Sequence, residues 1–84
     1  MKLVFAEQAW EDYLYWQTQD KKTLKRINAL LKEIMRTPFE GTGKPEALKH
    51  ALAGYWSRRI DEEHRVVYKA LPEEIWVVQL RYHY

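Results

Sequence analysis

The chain has 84 residues, a length that supports one domain with one core, residues 1–84, and its formal net charge is +2. It has no cysteine, which excludes a disulfide framework and a thiolate metal site. No run approaches the ~20 apolar residues of a membrane span, while four Trp and six Tyr give a short chain large apolar surfaces to bury.

Residues 1–5 read as a short strand. The apolar opening turns charged at Glu7, too early for a signal peptide, so the expected location is the cytoplasm. Ala9, Trp10, Tyr13, Leu14 and Trp16 then recur at helical spacing. Glu7, Glu11 and Asp12 lie early in that helix, where its dipole favours negative charge. Asp20 is placed to cap a second helix with the stripe Leu24, Ile27, Leu30, Leu31 and Ile34, which Thr37-Pro38 stops. Two amphipathic helices joined at residues 18–20 make a helical hairpin.

Residues 39–44, with Gly41 and Gly43, read as a loop, and residues 45–53 are ambiguous between loop and helical turn. The period then changes. Residues 55–60, 65–70 and 75–83 are β-prone, separated by Asp61-Glu62-Glu63 and Leu71-Pro72-Glu73-Glu74. Short connections predict an antiparallel three-strand meander, and the order of elements predicts an α+β fold with the helix pair on one face of an antiparallel sheet. Alternation in the last strand puts Trp76, Val78, Leu80 and Tyr82 on one face, expected to meet the helices. Ile75, Val77, Gln79, Arg81 and His83 fall on the other, expected to open to solvent near Arg81 and His83.

Basic residues cluster at Lys21, Lys22, Lys25 and Arg26, which read as a solvated face, and in the C-terminal half at Lys44, Lys49, Arg58, Arg59, Arg65, Lys69 and Arg81. The second cluster is the footprint of a phosphate-bearing or acidic partner. Metal-free RNA cleavage needs a base for the ribose 2′-hydroxyl, a cation for the phosphate and an acid for the departing 5′-oxygen. Glu46 in a basic loop, Arg65 at a strand start and His83 near the end are of the right types. Taken singly, each has an ordinary reading: a solvated Glu, a surface Arg, a frayed terminal His. Basic neighbours favour the ionised Glu46, and His83 is able to carry a proton near neutrality. Tyr84 offers a face on which a base can stack; Tyr82 reads as core. His50, His64 and His83 have no metal-ligand spacing, so no metal or cofactor is expected, and His50 and His64 read as structural or surface residues. The glycines form no phosphate-binding loop.

Several segments in order carry a resemblance. They are Leu14-Tyr15-Trp16-Gln17, Arg36-Thr37-Pro38-Phe39-Glu40-Gly41, Gly43-Lys44-Pro45-Glu46 and Leu48-Lys49-His50. Trp56-Ser57-Arg58-Arg59-Ile60, Glu62-Glu63-His64-Arg65, Val67-Tyr68 and Arg81-Tyr82-His83-Tyr84 follow. Across its whole length the chain resembles the YoeB toxins of the RelE superfamily, although residues 70–79 match only as a pattern. The resemblance implies a bacterial toxin that inhibits translation by cutting mRNA in the ribosomal A site, leaving 2′,3′-cyclic phosphate and 5′-hydroxyl ends. It implies Glu46 as general base, His83 as general acid and Arg65 as the phosphate-stabilising cation. Lys49 and Arg59 would assist, and Tyr84 would place the substrate. It also implies an acidic YefM-like antitoxin and a complex that represses its own operon, binding operator DNA only through the antitoxin. Many toxins of the superfamily lack the Glu/His pair; this chain has both.

Two other readings remain at the level of sequence: a non-catalytic RNA- or ribosome-binding module, and a co-repressor subunit of an operon. A small domain with this many aromatics is also expected to form a homodimer. If Arg59 is to share a face with Arg65, the hairpin between them needs an odd loop, such as Glu62-Glu63-His64.

Overall fold

The computed structural model describes residues 1–82. The elements run β1 (Lys2–Phe5), α1 (Glu7–Gln19), α2 (Lys21–Arg36), β2 (Glu46–Ala47), a 3₁₀ turn (His50–Leu52), β3 (Trp56–Arg59), β4 (Arg65–Ala70) and β5 (Glu74–Gln79). The helix pair packs on one face of a five-stranded sheet ordered β1-β5-β4-β3-β2. The expected α+β layering and the β3–β4–β5 meander are present. The sheet is mixed, because β1 joins β5 in parallel while the other pairs are antiparallel. A parallel pair needs a long crossover, and everything between β1 and β5 supplies it.

Asp20 opens α2 by accepting from the backbone N–H of Lys22 and Thr23, at 3.0 and 3.1 Å, and from the Thr23 hydroxyl at 2.8 Å. The Thr23 hydroxyl, with these backbone bonds, holds the Asp20 carboxyl below its usual range. From α2, Ile27, Leu30, Leu31 and Ile34 meet Val66, Tyr68, Ile75, Val77 and Leu80 of the sheet layer. Each such side chain stabilises the fold by about 1.5–3 kcal/mol through removal from water.

The faces of the last strand differ from strict alternation. Ile75 and Val77 are fully buried against the helices, whereas Trp76 is 40% and Tyr82 51% exposed. Leu80 is buried as expected. The register explains both facts. Tyr68 pairs with Val77 and Val67 with Gln79, so Val78 is an extra residue, a β-bulge that shifts the inward phase from odd to even positions. Four consecutive apolar residues, Ile75 to Val78, gave alternation nothing to discriminate. The strand end is then pinned to α1. Leu80 donates its N–H to Asp12 Oδ2 at 3.0 Å and accepts from Trp16 Nε1 at 2.9 Å, which satisfies the buried carboxylate of Asp12 and the indole together.

Candidate active site

Directly paired residues share a face of a sheet, as do residues two apart along a strand. Glu46 pairs with Ser57, Ser57 with Val67, and Val67 with Gln79. Two residues along, Arg59 pairs directly with Arg65. Glu46, Arg59 and Arg65 therefore stand on the face opposite the helices, around a floor of the short side chains Ser57 and Val67, which are 3% and 1% exposed. Strand spacing separates the Cα atoms of Glu46 and Arg65 by roughly 10–12 Å. The β3–β4 connection closes with Ile60 N–H donating to His64 O at 2.9 Å, leaving the three-residue loop Asp61-Glu62-Glu63. The loop is odd, as sharing of a face requires, though placed one residue earlier than Glu62-Glu63-His64.

Arg65 is anchored by its own hairpin. Its Nη1 donates to the carbonyls of Asp61, Glu62 and His64 at 2.8, 3.2 and 3.1 Å. Its Nε and Nη2 donate to no described residue. A guanidinium fixed along one edge can offer its remaining donors to a phosphate with little loss of side-chain entropy. Arg59 is exposed, with its backbone N–H donating to Gly43 O at 2.7 Å and its carbonyl accepting from Arg26 at 3.0 Å. Glu46 and Lys49, both exposed, line an open groove of 580 Å³ with Leu48, His50 and Leu52. The ambiguous stretch before β3 thus resolves into a two-residue strand and a 3₁₀ turn.

Two of the clustered cations do not belong to this face. Arg58 points the other way and is fully buried. It pairs with Glu33 at 2.6 Å and donates to Tyr68 Oη and to the carbonyls of Thr37, Glu40 and Thr42. Backbone and hydroxyl hydrogen bonds from Thr42, with Arg58 adding to them, hold the Glu33 carboxyl below its ordinary range. Burial raises the Tyr68 phenol. This network ties the 37–44 loop to α2 and β4, immediately before Glu46. Its signal was in the sequence, since Arg58 has the inward parity of Trp56 and Glu33 flanks the apolar stripe of α2. Arg81, expected on the open face, instead lays its guanidinium over Tyr15 of α1, 3.5 Å from the ring centroid, and against Tyr82.

His83 and Tyr84 lie outside the described residues. The chain reaches them from Tyr82, whose carbonyl accepts from the Arg65 backbone N–H at 3.1 Å. The last described residue is thus hydrogen-bonded to the backbone of Arg65. His64 is mostly buried, its ring edge-on to Trp16 at 4.9 Å between centroids, in keeping with a structural reading. Among the described residues no three His, Asp or Glu side chains converge to hold a metal ion, and no helix is long and apolar enough to cross a membrane.

Comparison with known proteins gives one answer. A family described as the YoeB-like toxin of bacterial type II toxin–antitoxin systems matches residues 5–84. The protein named Toxin YoeB of Escherichia coli (strain K12) is 57% identical over 84 residues, with all of both chains covered. A solved YoeB/ParE toxin from Agrobacterium tumefaciens superposes with a TM-score of 0.96 at 49% identity, again over all of both chains. The Staphylococcus aureus YoeB, solved in a heterotetrameric YoeB–YefM toxin–antitoxin complex, superposes with a TM-score of 0.92 at 50% identity, covering 100% of this chain and 98% of that one. The S. aureus protein has also been solved as a YoeB dimer, with a TM-score of 0.93. On these grounds the chain belongs to the YoeB-like toxins of bacterial type II toxin–antitoxin systems.

Proposed function

We propose that this toxin is a ribosome-dependent endoribonuclease that cuts mRNA in the A site and so arrests translation in the cytoplasm. The observation that carries the reading is the placement of Glu46, Arg59 and Arg65 on one face, opposite the helices, around a short-side-chain floor. Glu46 takes the proton of the ribose 2′-hydroxyl, and the 2′-oxygen attacks the adjacent phosphorus. Arg65, with Arg59 and Lys49 nearby, stabilises the added negative charge as the phosphorane forms. His83 delivers a proton to the departing 5′-oxygen, giving a 2′,3′-cyclic phosphate and a 5′-hydroxyl. Tyr84 stacks on a substrate base. The chemistry needs no metal.

The YefM complex of the S. aureus relative supports an acidic YefM-like antitoxin as partner, and the dimer of that relative supports a homodimer here. The toxin–antitoxin complex reaches operator DNA through the antitoxin and represses its own operon. The test is cleavage of mRNA on programmed ribosomes by the wild type, Glu46→Gln and His83→Ala. Each substitution is expected to lower the rate on the order of 10²–10⁴-fold while ribosome binding persists. Undiminished cleavage by both folded variants excludes the acid–base assignment. Ribosome binding by the wild type without any cleavage favours a non-catalytic binding module.

A further inference from the structure

Between β5 and the end of the described chain, successive backbone groups are held by hydrogen bonds with α1, with the end of β5 and with the β3–β4 hairpin. After Asp12 and Trp16 take both polar groups of Leu80, the Gln79 amide Nε2 donates to the carbonyls of Arg81 and Tyr82 at 2.7 and 3.2 Å. Tyr82 then adopts φ of +63°, a left-handed conformation that non-glycine residues rarely take. Its backbone is clamped on both sides by consecutive residues of the β3–β4 hairpin. Its carbonyl accepts from the Arg65 N–H at 3.1 Å, and its own N–H donates to His64 Nδ1 at 2.7 Å. An imidazole nitrogen that accepts carries no proton, so the ring proton of His64 sits on Nε2, 3.5 Å from Glu63 Oε1. Trp16 and Tyr82 fix the ring plane, with centroids 4.9 and 5.5 Å away.

We propose that His64 is a positioning residue for the nuclease step: its Nδ1 fixes the backbone of Tyr82, the residue that precedes His83 in the chain, in a left-handed conformation, and thereby constrains delivery of the acid. The inference rests on the reading of His83 as general acid. Packing alone does not require a histidine here, because a phenyl ring fills the same space against Trp16. What imidazole adds is an acceptor aimed at one backbone N–H. Because His64 immediately precedes Arg65, the same hairpin that anchors the phosphate-binding guanidinium also fixes the root of the terminus. The two halves of the site are thus held in register by one short piece of chain. A displacement of about 1 Å in a reacting group is enough to cost on the order of 100-fold in rate.

The experiment compares the wild type, His64→Phe and His64→Asn. Phe keeps a ring without the acceptor. Asn keeps an acceptor, because its Oδ1 occupies the place of Nδ1. Amide exchange of Tyr82 in the ¹⁵N-labelled toxin reads the turn. Single-turnover cleavage on mRNA-programmed ribosomes, at saturating and sub-saturating toxin, separates rate from binding. In His64→Phe the Tyr82 amide is expected to exchange about 5–10-fold faster, as for one lost hydrogen bond. The saturated cleavage rate is expected to fall about 10–100-fold with the half-saturating concentration unchanged. His64→Asn is expected to restore both to within a few-fold of wild type. Wild-type cleavage by His64→Phe overturns the proposal. So does equal slowing of both variants with the Tyr82 amide still protected, which reduces His64 to packing. If His64→Phe does not fold, which its amide spectrum reveals, the smaller His64→Leu makes the same comparison. Absence of cleavage by the wild type overturns the nuclease reading, and this role with it; the exchange rates then report on the turn alone.

Discussion

Arg58 and Arg65 lie seven positions apart and have opposite fates. Arg65 lies on the face opposite the helices, where one nitrogen is tied to three carbonyls; in the proposed mechanism the rest of the fork meets the phosphate. A Lys at this position keeps the charge but not the planar two-point contact. Arg65→Lys is expected to lose about 10²-fold or more of the cleavage rate with the fold retained, since donors aimed at transition-state charge carry effects of that order. Full activity in that variant limits Arg65 to general electrostatics. Arg58 is buried and depends on Glu33 for its counter-charge. The folded-state pKa of Glu33 is depressed, so its contribution to stability is present above the ordinary value of 4.5 and is lost as pH falls through the lower folded value. Glu33→Gln is therefore expected to melt well below the wild type at neutral pH, with the gap closing as pH drops beneath 4.5. Melting curves from neutral to acid pH decide this, and a gap that stays constant rules out the ionised pair as the source.

Among the elements, the ones whose side chains repeat at a single period were readable from sequence. The helix pair followed from one apolar stripe per helix, and the Asp20 cap from its place before the second stripe. The meander followed from two short polar breaks. Glu46, Arg59 and Arg65 were legible as candidates from residue type and from resemblance, but their common face depends on strand register, which side-chain chemistry alone does not specify. The partnership of β1 with β5 was hidden because parallel pairing is long-range and leaves no local turn signal. Strict alternation fails along β5 for a different reason: a bulge is a backbone event, and Val78 is as apolar as its neighbours. The bulge yields a test at this scale. Leu80 is fully buried and Trp76 is 40% exposed, although strict alternation puts both in the core. Leu80→Ala is expected to destabilise by about 2–5 kcal/mol in urea unfolding. Trp76→Ala is expected to cost clearly less. Equal losses from the two, or the reverse order, contradict the bulged register.

For the whole molecule, the surface left apolar by folding bears on assembly. Val4 and Trp76 are cross-strand partners, 37% and 40% exposed, and with Ala6 and Val78 they line a hollow on the face away from the helices. On the helix side, Trp10 and Leu14 of α1 are 49% and 42% exposed. A small domain has a high ratio of surface to core, so apolar residues beyond the core's capacity remain outside until a partner covers them. A stable interface buries about 800 Å² on each partner. That is close to one-seventh of the 5556 Å² this chain exposes. The free toxin is accordingly expected to sediment as a homodimer at micromolar concentration, and a monomer throughout that range rejects the dimer. Trp10 and Trp76 lie on opposite sides of the sheet, so single replacements locate the contact. Trp10→Ser or Trp76→Ser, whichever sits at its centre, is expected to weaken dimerisation by at least about tenfold, the usual effect of removing a buried interfacial tryptophan. The other is expected to leave it unchanged. A dimer that survives both replacements is held by neither apolar patch, and the link between small size, exposed aromatics and self-association does not hold for this chain.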